Sequence, residues 1–351
     1  MVLTSRAEAV LNSIVRQYIA QATPVPSQSV LSDYELHVSP ATIRHEMARL
    51  EQEGYIIRPH PSAGSVPSDK GYRYYVESLT EITLPMAEQR LISHLFHQVK
   101  REQEEWLRLA VTVVAQLTQN VAVVTRPKSV GCQFKHLQLV AVQDLLVLVV
   151  LVLHGAIVKQ QLVTFDPAIE QPGLTAIANK LNEAYTGLTN SQILAKEIAL
   201  SPVEQQLTDC LIKVMKAENA PEYEEPYLDG WHFILHQPEF SHSNRILDLV
   251  NLVEHRNLLK AIFPYGLGIY ETQVVIGKEN SAEAIHDCSV VVGQYGVPEE
   301  AVGIIGVVGP TRMPYVRTIS TVHYLSSILG KLVAELYGRE TLTETTTADT
   351  N

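Results

Sequence analysis

The stretch from Ser39-Pro40 to Gly54 constrains the first eighty residues more than any other feature of this chain. Serine is a favoured N-cap and proline is favoured at the first helical position, while glycine is favoured just past a helix C-terminus. The segment is therefore a helix with both ends marked. Ile43, Met47 and Leu50 make one apolar face. At about 100° per residue, Ala41, Thr42, His45, Ala48, Arg49 and Gln52 fall on the opposite face, with Arg44 on its flank. Upstream, Ala7, Val10, Leu11, Ile14, Val15 and Tyr18 recur at three-and-four spacing, which predicts an amphipathic helix over residues 4–21. Thr23-Pro24-Val25-Pro26-Ser27 breaks it, a short second helix runs from Ser27 to about Tyr34, and Leu36 to Val38 turns the chain. Downstream, Tyr55-Ile56-Ile57 reads as a strand, Arg58 to Ser68 as a Pro- and Gly-containing loop, and Lys70 to Val76 as a returning aromatic strand. Three helices and a small hairpin in this order match a winged helix-turn-helix; a three-helix packing module without DNA is the other reading.

The polar face of the third helix favours groove reading. Two alanines among polar donors let a helix lie close to a groove floor. Arginine can take guanine bidentately, glutamine can take adenine, and Thr or Ala can touch a thymine methyl. The candidate base-reading residues are Ala41, Thr42, Arg44, His45, Arg49 and Gln52. In the loop that follows, Ser62, Gly64 and Ser65 offer hydroxyl and backbone donors, and Lys70 and Arg73 add charge, the composition of a wing that clamps phosphates.

Composition narrows the class. Across 351 residues, 46% are hydrophobic and 19% charged, which provides packed cores and excludes a largely disordered chain. A net charge of −11 argues against non-specific coating of nucleic acid. Residues 169–244 hold 4 Lys/Arg against 11 Asp/Glu, whereas residues 1–78 hold 7 against 8. Any DNA contact must therefore come from a few placed cations, with the acidic middle held away. The longest charge-free apolar run, Leu145 to Leu153, is too short to span a bilayer. No secretory signal precedes the first amphipathic pattern. Cys132, Cys210 and Cys288 are odd in number and far apart, so a disulfide framework is not expected and the reducing cytoplasm is the default compartment.

The rest of the chain is mixed α/β. Met86 to about Val121 reads as one long helical stretch, a connector and candidate dimer seam. Leu137 to Val142, Leu145 to Leu153 and Ala156 to Phe165 are apolar, β-branched strands of the kind covered on both faces, with His154-Gly155 as a hairpin turn. Residues 169–244 read as an acidic, mainly helical insertion ending in a strand from Tyr227 to His236. Asn244 to Ile262 returns to helix; Ile269 to Ile276, Ser289 to Tyr295 and Ala301 to Val308 are strands; Val316 to Tyr337 is a last helix. Residues from Gly338 on read as a disordered tail.

Two motif sets carry a resemblance. The first is Ser39-Pro40-Ala41-Thr42-Ile43-Arg44, Met47-Ala48-Arg49-Leu50-Glu51, Gly54-Tyr55-Ile56, and Ser62-Ala63-Gly64 with Pro67 and Asp69-Lys70-Gly71-Tyr72-Arg73. The second is Gly277-Lys278-Glu279-Asn280, Cys288-Ser289-Val290-Val291 and Gly309-Pro310-Thr311-Arg312-Met313-Pro314-Tyr315. Together they resemble the heat-inducible transcription repressor family of bacteria (HrcA) over residues 3 to about 335. The resemblance implies a winged-helix head (1–80), a GAF-like body (81–168 and 245–338) and an inserted dimerisation domain (169–244). It also implies a homodimer on an inverted-repeat operator upstream of chaperone operons of the groE and dnaK type. Repression would be relieved by heat, with the GroE chaperonin assisting the active fold. The family commonly has an arginine after the Ser-Ala-Gly of the wing; this chain has Ser65, so one expected cation is missing.

Enzymatic signatures are weak. Gly266-Leu267-Gly268 lacks the third glycine of a dinucleotide fingerprint, and neither a Walker loop nor a nucleophile elbow occurs. His94 and His97 have metal-compatible spacing but no third ligand nearby, so no metal or other cofactor is implied. Cys210 reads as a small buried hydrophobe. The turn from Gly309 to Tyr315 can cradle an anion with Arg312, or Glu279 and Arg312 can pair. Glu279, Arg312 and Tyr315 thus form a candidate effector turn, and the alternative function is a winged-helix repressor controlled by a small molecule in the body.

Overall fold

The computed structural model describes residues 3–32, 39–60, 63–80, 82–99, 102–129, 132–154, 157–166, 168–219, 225–240, 271–298 and 301–337. The chain divides into two compact units, one of residues 1–125, 225–294 and 304–328, the other of 126–224, 295–303 and 329–351. The expected turn at Leu36–Val38, the helix from Asn244 to Ile262, Gly266-Leu267-Gly268 and the tail from Gly338 lie outside the described residues.

The first unit begins with α1 (Ser5–Gln21), N-capped by the Thr4 side chain and burying Ala7, Val10, Leu11, Ile14 and Val15 as expected; Ala22 in the left-handed region ends it. α2 (Ser27–Leu31) is short. α3 (Pro40–Gln52) starts at Ser39, whose side chain accepts from the Thr42 N–H. Its end is a Schellman turn: Tyr55 N–H donates to Leu50 O, Gly54 N–H donates to Glu51 O, and Gly54 has φ +79°. β1 (Ile56–Ile57) pairs antiparallel with β2 (Val66–Pro67).

The returning strand expected over Lys70 to Val76 is a helix, α4 (Asp69–Glu77). Ser68 caps it by accepting from Gly71 N–H while donating to Gly54 O, and Asp69 sits favourably in the first turn. Tyr72 and Tyr75, three apart, both point into the core. Helical spacing thus outweighs the strand preference of tyrosine.

The single long helix expected from Met86 is two: α5 (Met86–Gln98) and α6 (Gln103–Thr118), with extended backbone at Val99 and Glu102. Lys100-Arg101-Glu102-Gln103-Glu104-Glu105 interrupts the apolar stripe for more than a turn, so no continuous face holds one rod together. β3 (Val121–Val124) follows, buried throughout, then β4 (Lys128–Ser129).

The second unit contains an antiparallel meander, β5 (Phe134–Ala141), β6 (Leu146–Leu153) and β7 (Ile157–Thr164). Then come α7 (Gln171–Tyr185), α8 (Asn190–Ala195), begun by a Thr189–Gln192 capping box, and α9 (Pro202–Asn219). Phe134, Leu137, Leu139, Val147, Val149, Leu151 and Leu153 share a core with Leu174, Leu181, Tyr185, Leu207, Leu211 and Met215. α7 also finishes the edge strand: Asn182 bonds both the N–H and C=O of Leu137, and Gln171 bonds Ala141 N–H and Leu139 O. An edge occupied in this way cannot recruit another strand.

The three strands share their core with the acidic helices, and the compact units divide after residue 125 and after residue 224. Contrary to what their composition suggested, the strands are not covered on both faces. β6 alternates buried and half-buried along its length, and on the outer face Val140, Val158 and Leu162 are exposed. Cys210 is half-buried and near Gln161 Oε1 (3.2 Å), not a core hydrophobe.

The chain re-enters the first unit at β8 (Tyr227–Asp229), which pairs with β3 across a hundred residues of sequence: Ala122 opposite Asp229 and Val124 opposite Tyr227. The strand expected to reach His236 stops at Asp229, because Gly230 (φ +90°) turns into α10 (Trp231–Leu235). β9 (Thr272–Ile276), β10 (Cys288–Val297) and β11 (Ala301–Pro310) complete a sheet in the order β8-β3-β11-β10-β9, with β4 pairing the start of β11. α11 (Tyr315–Leu336) closes the chain, its Val322 and Ser326 set against Gly293 of β10.

Candidate nucleic-acid interface

α3 presents two chemically distinct faces. Ile43, Met47 and Leu50 are buried against the rest of the head. Ala41, Arg44, His45, Ala48 and Gln52 are exposed, and Thr42 and Arg49 are half-buried beside them. The structure therefore brings all six predicted base-reading residues to one outward side. Ser39 Oγ and Thr42 Oγ1 stand 2.8 Å apart at the N-terminus of this face. Arg49 Nε donates to Glu53 Oε1 (2.8 Å), a hydrogen bond that raises the arginine pKa above its ordinary value. Arg58, unremarked in the sequence, is exposed just past β1 and pairs with Glu51 at 3.1 Å.

The predicted wing set disperses. Ser62 lies outside the described residues. Gly64 is required for a packing reason: a Cβ there would collide with the Val25 and Pro24 backbone. Ser65 is buried, bonded by its backbone N–H and C=O to Val25, with its hydroxyl unpartnered, so it faces inward and is no phosphate donor. Lys70 is exposed on the first turn of α4; its ammonium donates to Glu53 O (2.8 Å), the C-terminal end of α3, and lies 4.1 Å from the Tyr55 ring centre. That cation sits favourably at a helix C-terminus.

Arg73, expected on the wing, points the other way. Its guanidinium makes a fork with Glu279 (Nε to Oε1, 2.9 Å; Nη2 to Oε2) and also donates to Val274 O (2.7 Å). Asp69 Oδ2 accepts from Lys278 N–H (3.1 Å). Tyr72 packs on Tyr315, with ring centres 5.8 Å apart. Glu279 also accepts from Ile276 N–H.

The expected Glu279–Arg312 pair does not form. Arg312 instead engages Glu239 and Gln237, and Tyr315 is buried, its hydroxyl donating to Thr311 O (2.6 Å) and lying 2.7 Å from Ser289 Oγ. Burial pushes the Tyr315 and Tyr72 hydroxyls well above the usual tyrosine range. All three effector-turn residues thus have protein partners. Among the described residues, no group of three or more His, Cys, Asp or Glu could hold a metal, and no helix is long and apolar enough to cross a membrane.

The family described as "HrcA protein C terminal domain" matches residues 104–319. A "Heat-inducible transcription repressor HrcA" of Dehalococcoides mccartyi is 53% identical over 337 residues, covering 96% of this chain and 98% of its own. A protein of the same description from Roseiflexus castenholzii is 40% identical, covering 96% of each. A solved structure described as that of a hypothetical protein at 2.2 Å resolution aligns with a TM-score of 0.60 and 24% identity, covering 95% of this chain and 98% of its own; it shares the fold.

Proposed function

Because the chain belongs to the heat-inducible transcription repressor family, and is a repressor and not an enzyme, we propose that it binds an inverted-repeat operator as a homodimer and reads it with α3. The observation that carries this reading is the division of α3 into a buried apolar face and an outward face of alanines and donors. Residues 1–80 act as a winged helix-turn-helix head. Arg44, His45, Arg49 and Gln52 face base edges, with Ala41 and Thr42 against thymine methyls. Lys70, beside the α3 C-terminus, holds a phosphate, and Arg58 joins it.

A two-fold operator needs a two-fold protein. The outer face of the β5–β7 sheet suits a second copy: Val140, Leu148 and Leu162 lie in one cross-strand row, Val152 and Val158 in another, and much of this surface is open. An apolar face of this kind is rarely left open to water. In this reading β5–β7 with α7–α9 form the inserted dimerisation domain, and β3 and β8–β11 with their helices form the GAF-like body. The operator lies upstream of chaperone operons, and the protein works in the cytoplasm. Heat lowers the active population, and the GroE chaperonin, which assists refolding of a body built on non-local strands, is titrated by unfolded chains.

The test is titration of the full chain against a duplex carrying an inverted repeat from a chaperone promoter and against a scrambled duplex, at one fixed salt concentration. A preference of about a thousandfold or more is expected for a specific site. Equal, weak binding to both by a folded dimer overturns the reading.

A further inference from the structure

The strongest feature outside α3 is the junction between α4 and the body. It joins residues about 200 positions apart and lies wholly within one compact unit. Three contacts of different chemistry converge there. Asp69, at the start of α4, meets the turn at Gly277–Glu279 so closely that a side chain at Gly277 would overlap its carboxylate, and Gly277 also has φ +54°. One helical turn along, Arg73 holds Glu279 and the Val274 carbonyl. Between them, Tyr72 is buried against Tyr315, and Tyr315 is itself fixed by Ser289 and Thr311.

We propose that Asp69, Tyr72 and Arg73 form a clasp that fixes the orientation of each DNA-reading head on its body, and so sets the half-site spacing the dimer accepts. The proposal rests on the repressor reading above. Three points on α4, contacted over one turn and from one side, remove the rotational freedom that a flexible tether would leave. A bidentate arginine–carboxylate fork adds direction, because it is planar and tolerates little rotation. The same helix carries Lys70 to the end of α3, so α4 touches the reading helix at one corner and the body along one face. In a two-headed protein, head orientation decides which spacing between half-sites can be bridged at once. Arg73 is thereby a positioning residue and not a wing contact.

The experiment compares full-length wild type, Glu279→Gln, Arg73→Glu and the exchanged pair Arg73→Glu with Glu279→Arg. Each is titrated against a single half-site duplex, the inverted repeat from the chaperone promoter, and repeats whose spacer is longer or shorter by one and two base pairs. Circular dichroism confirms the fold of each. The clasp predicts unchanged half-site affinity for Glu279→Gln, together with at least tenfold weaker binding to the natural spacing and a flattened spacer preference; the exchanged pair restores both. Glu279→Gln changes only the body side and keeps the side-chain volume while replacing one of the two carboxylate acceptors with an amide donor, so it opens the fork and remains informative should Arg73→Glu fail to fold. If Arg73 instead contacts phosphate, Glu279→Gln strengthens binding to every duplex and the exchanged pair does not recover; that result overturns the proposal, as does an unaltered spacer preference in Glu279→Gln. Failure of the wild type to prefer any inverted repeat would overturn the underlying repressor reading instead.

Discussion

Leu162→Glu tests the proposed dimer of the repressor without touching the α3 residues proposed to read DNA. Leu162 is 56% exposed on the outer face of β7, so the substitution removes little from the fold of its own chain. A second copy covering this face would bury what remains. Full burial of a leucine side chain contributes about 1.5–3 kcal/mol, so covering the open 56% contributes about 0.8–1.7 kcal/mol per copy. A two-fold interface counts every substitution twice, giving about 1.7–3.4 kcal/mol, or roughly a 20- to 300-fold weaker dimer. The desolvation of two carboxylates adds to that loss, so these figures are a lower bound. Sedimentation velocity over a concentration series measures the dimer constant, and circular dichroism checks that the chain stays folded. Half-site binding should persist while binding to the complete inverted repeat weakens. A folded variant whose dimer constant moves less than threefold would refute the assignment of this face to a second copy.

Three further outcomes are expected. Arg49→Ala should lower affinity for the operator about ten- to a hundredfold by losing one base contact, with a nearly unchanged melting profile because its pair with Glu53, one turn away, is a partly exposed helix-surface pair that contributes little; equal losses on scrambled DNA would show that Arg49 meets phosphate. Ser39→Ala removes the side-chain acceptor for Thr42 N–H and should cost about 0.5–2 kcal/mol of local stability, read as faster hydrogen exchange at residues 42 and 43; unchanged exchange there would mean that the cap contributes nothing. Glu204 is held below the usual carboxylate range by Lys180, with Ser201 N–H adding to this. Its folded value is lowered, so its contribution is present at neutral pH and is lost as pH falls from the ordinary glutamate value, about 4.3, through the folded one. Glu204→Gln should therefore flatten the acid limb of a melting-temperature profile; parallel profiles for variant and wild type would contradict this.

The sequence announced its structure where the determinants are local. Ser39, Pro40 and Gly54 mark α3 because capping is decided within a few residues, and the spacing of Ile43, Met47 and Leu50 separates its buried face from its outward face. The wing was less legible. Four residues, Tyr72-Arg73-Tyr74-Tyr75, suit a strand by type, yet Ser68 and Asp69 cap a helix there, and the three-residue spacing of Tyr72 and Tyr75 selects it. A capping serine followed by an acidic residue was the signal available. Arg73 and Glu279 each stood out in the sequence, but their pairing joins positions 206 apart and becomes visible only once α4 is a helix. The inward turn of Ser65 likewise depends on Val25 from another element. The β5–β7 strands appeared covered on both faces because the outer face also carries Val140, Leu148, Val152, Val158 and Leu162, so composition alone does not separate it from the inner face. Their grouping with the acidic helices follows from shared packing of Leu139, Leu151, Leu181 and Leu211, which composition shifts along the chain do not encode.

The role proposed for α3 is to read bases in two symmetric half-sites. A scan of single base-pair substitutions across the chaperone-promoter repeat, titrated with the full-length dimer at fixed salt, tests this most directly. Two clusters of sensitive positions related by the operator two-fold are expected, each substitution costing about 1–3 kcal/mol, with one position in each cluster becoming indifferent in Arg49→Ala. A flat profile, in which every substituted duplex binds as the natural one does, would contradict it.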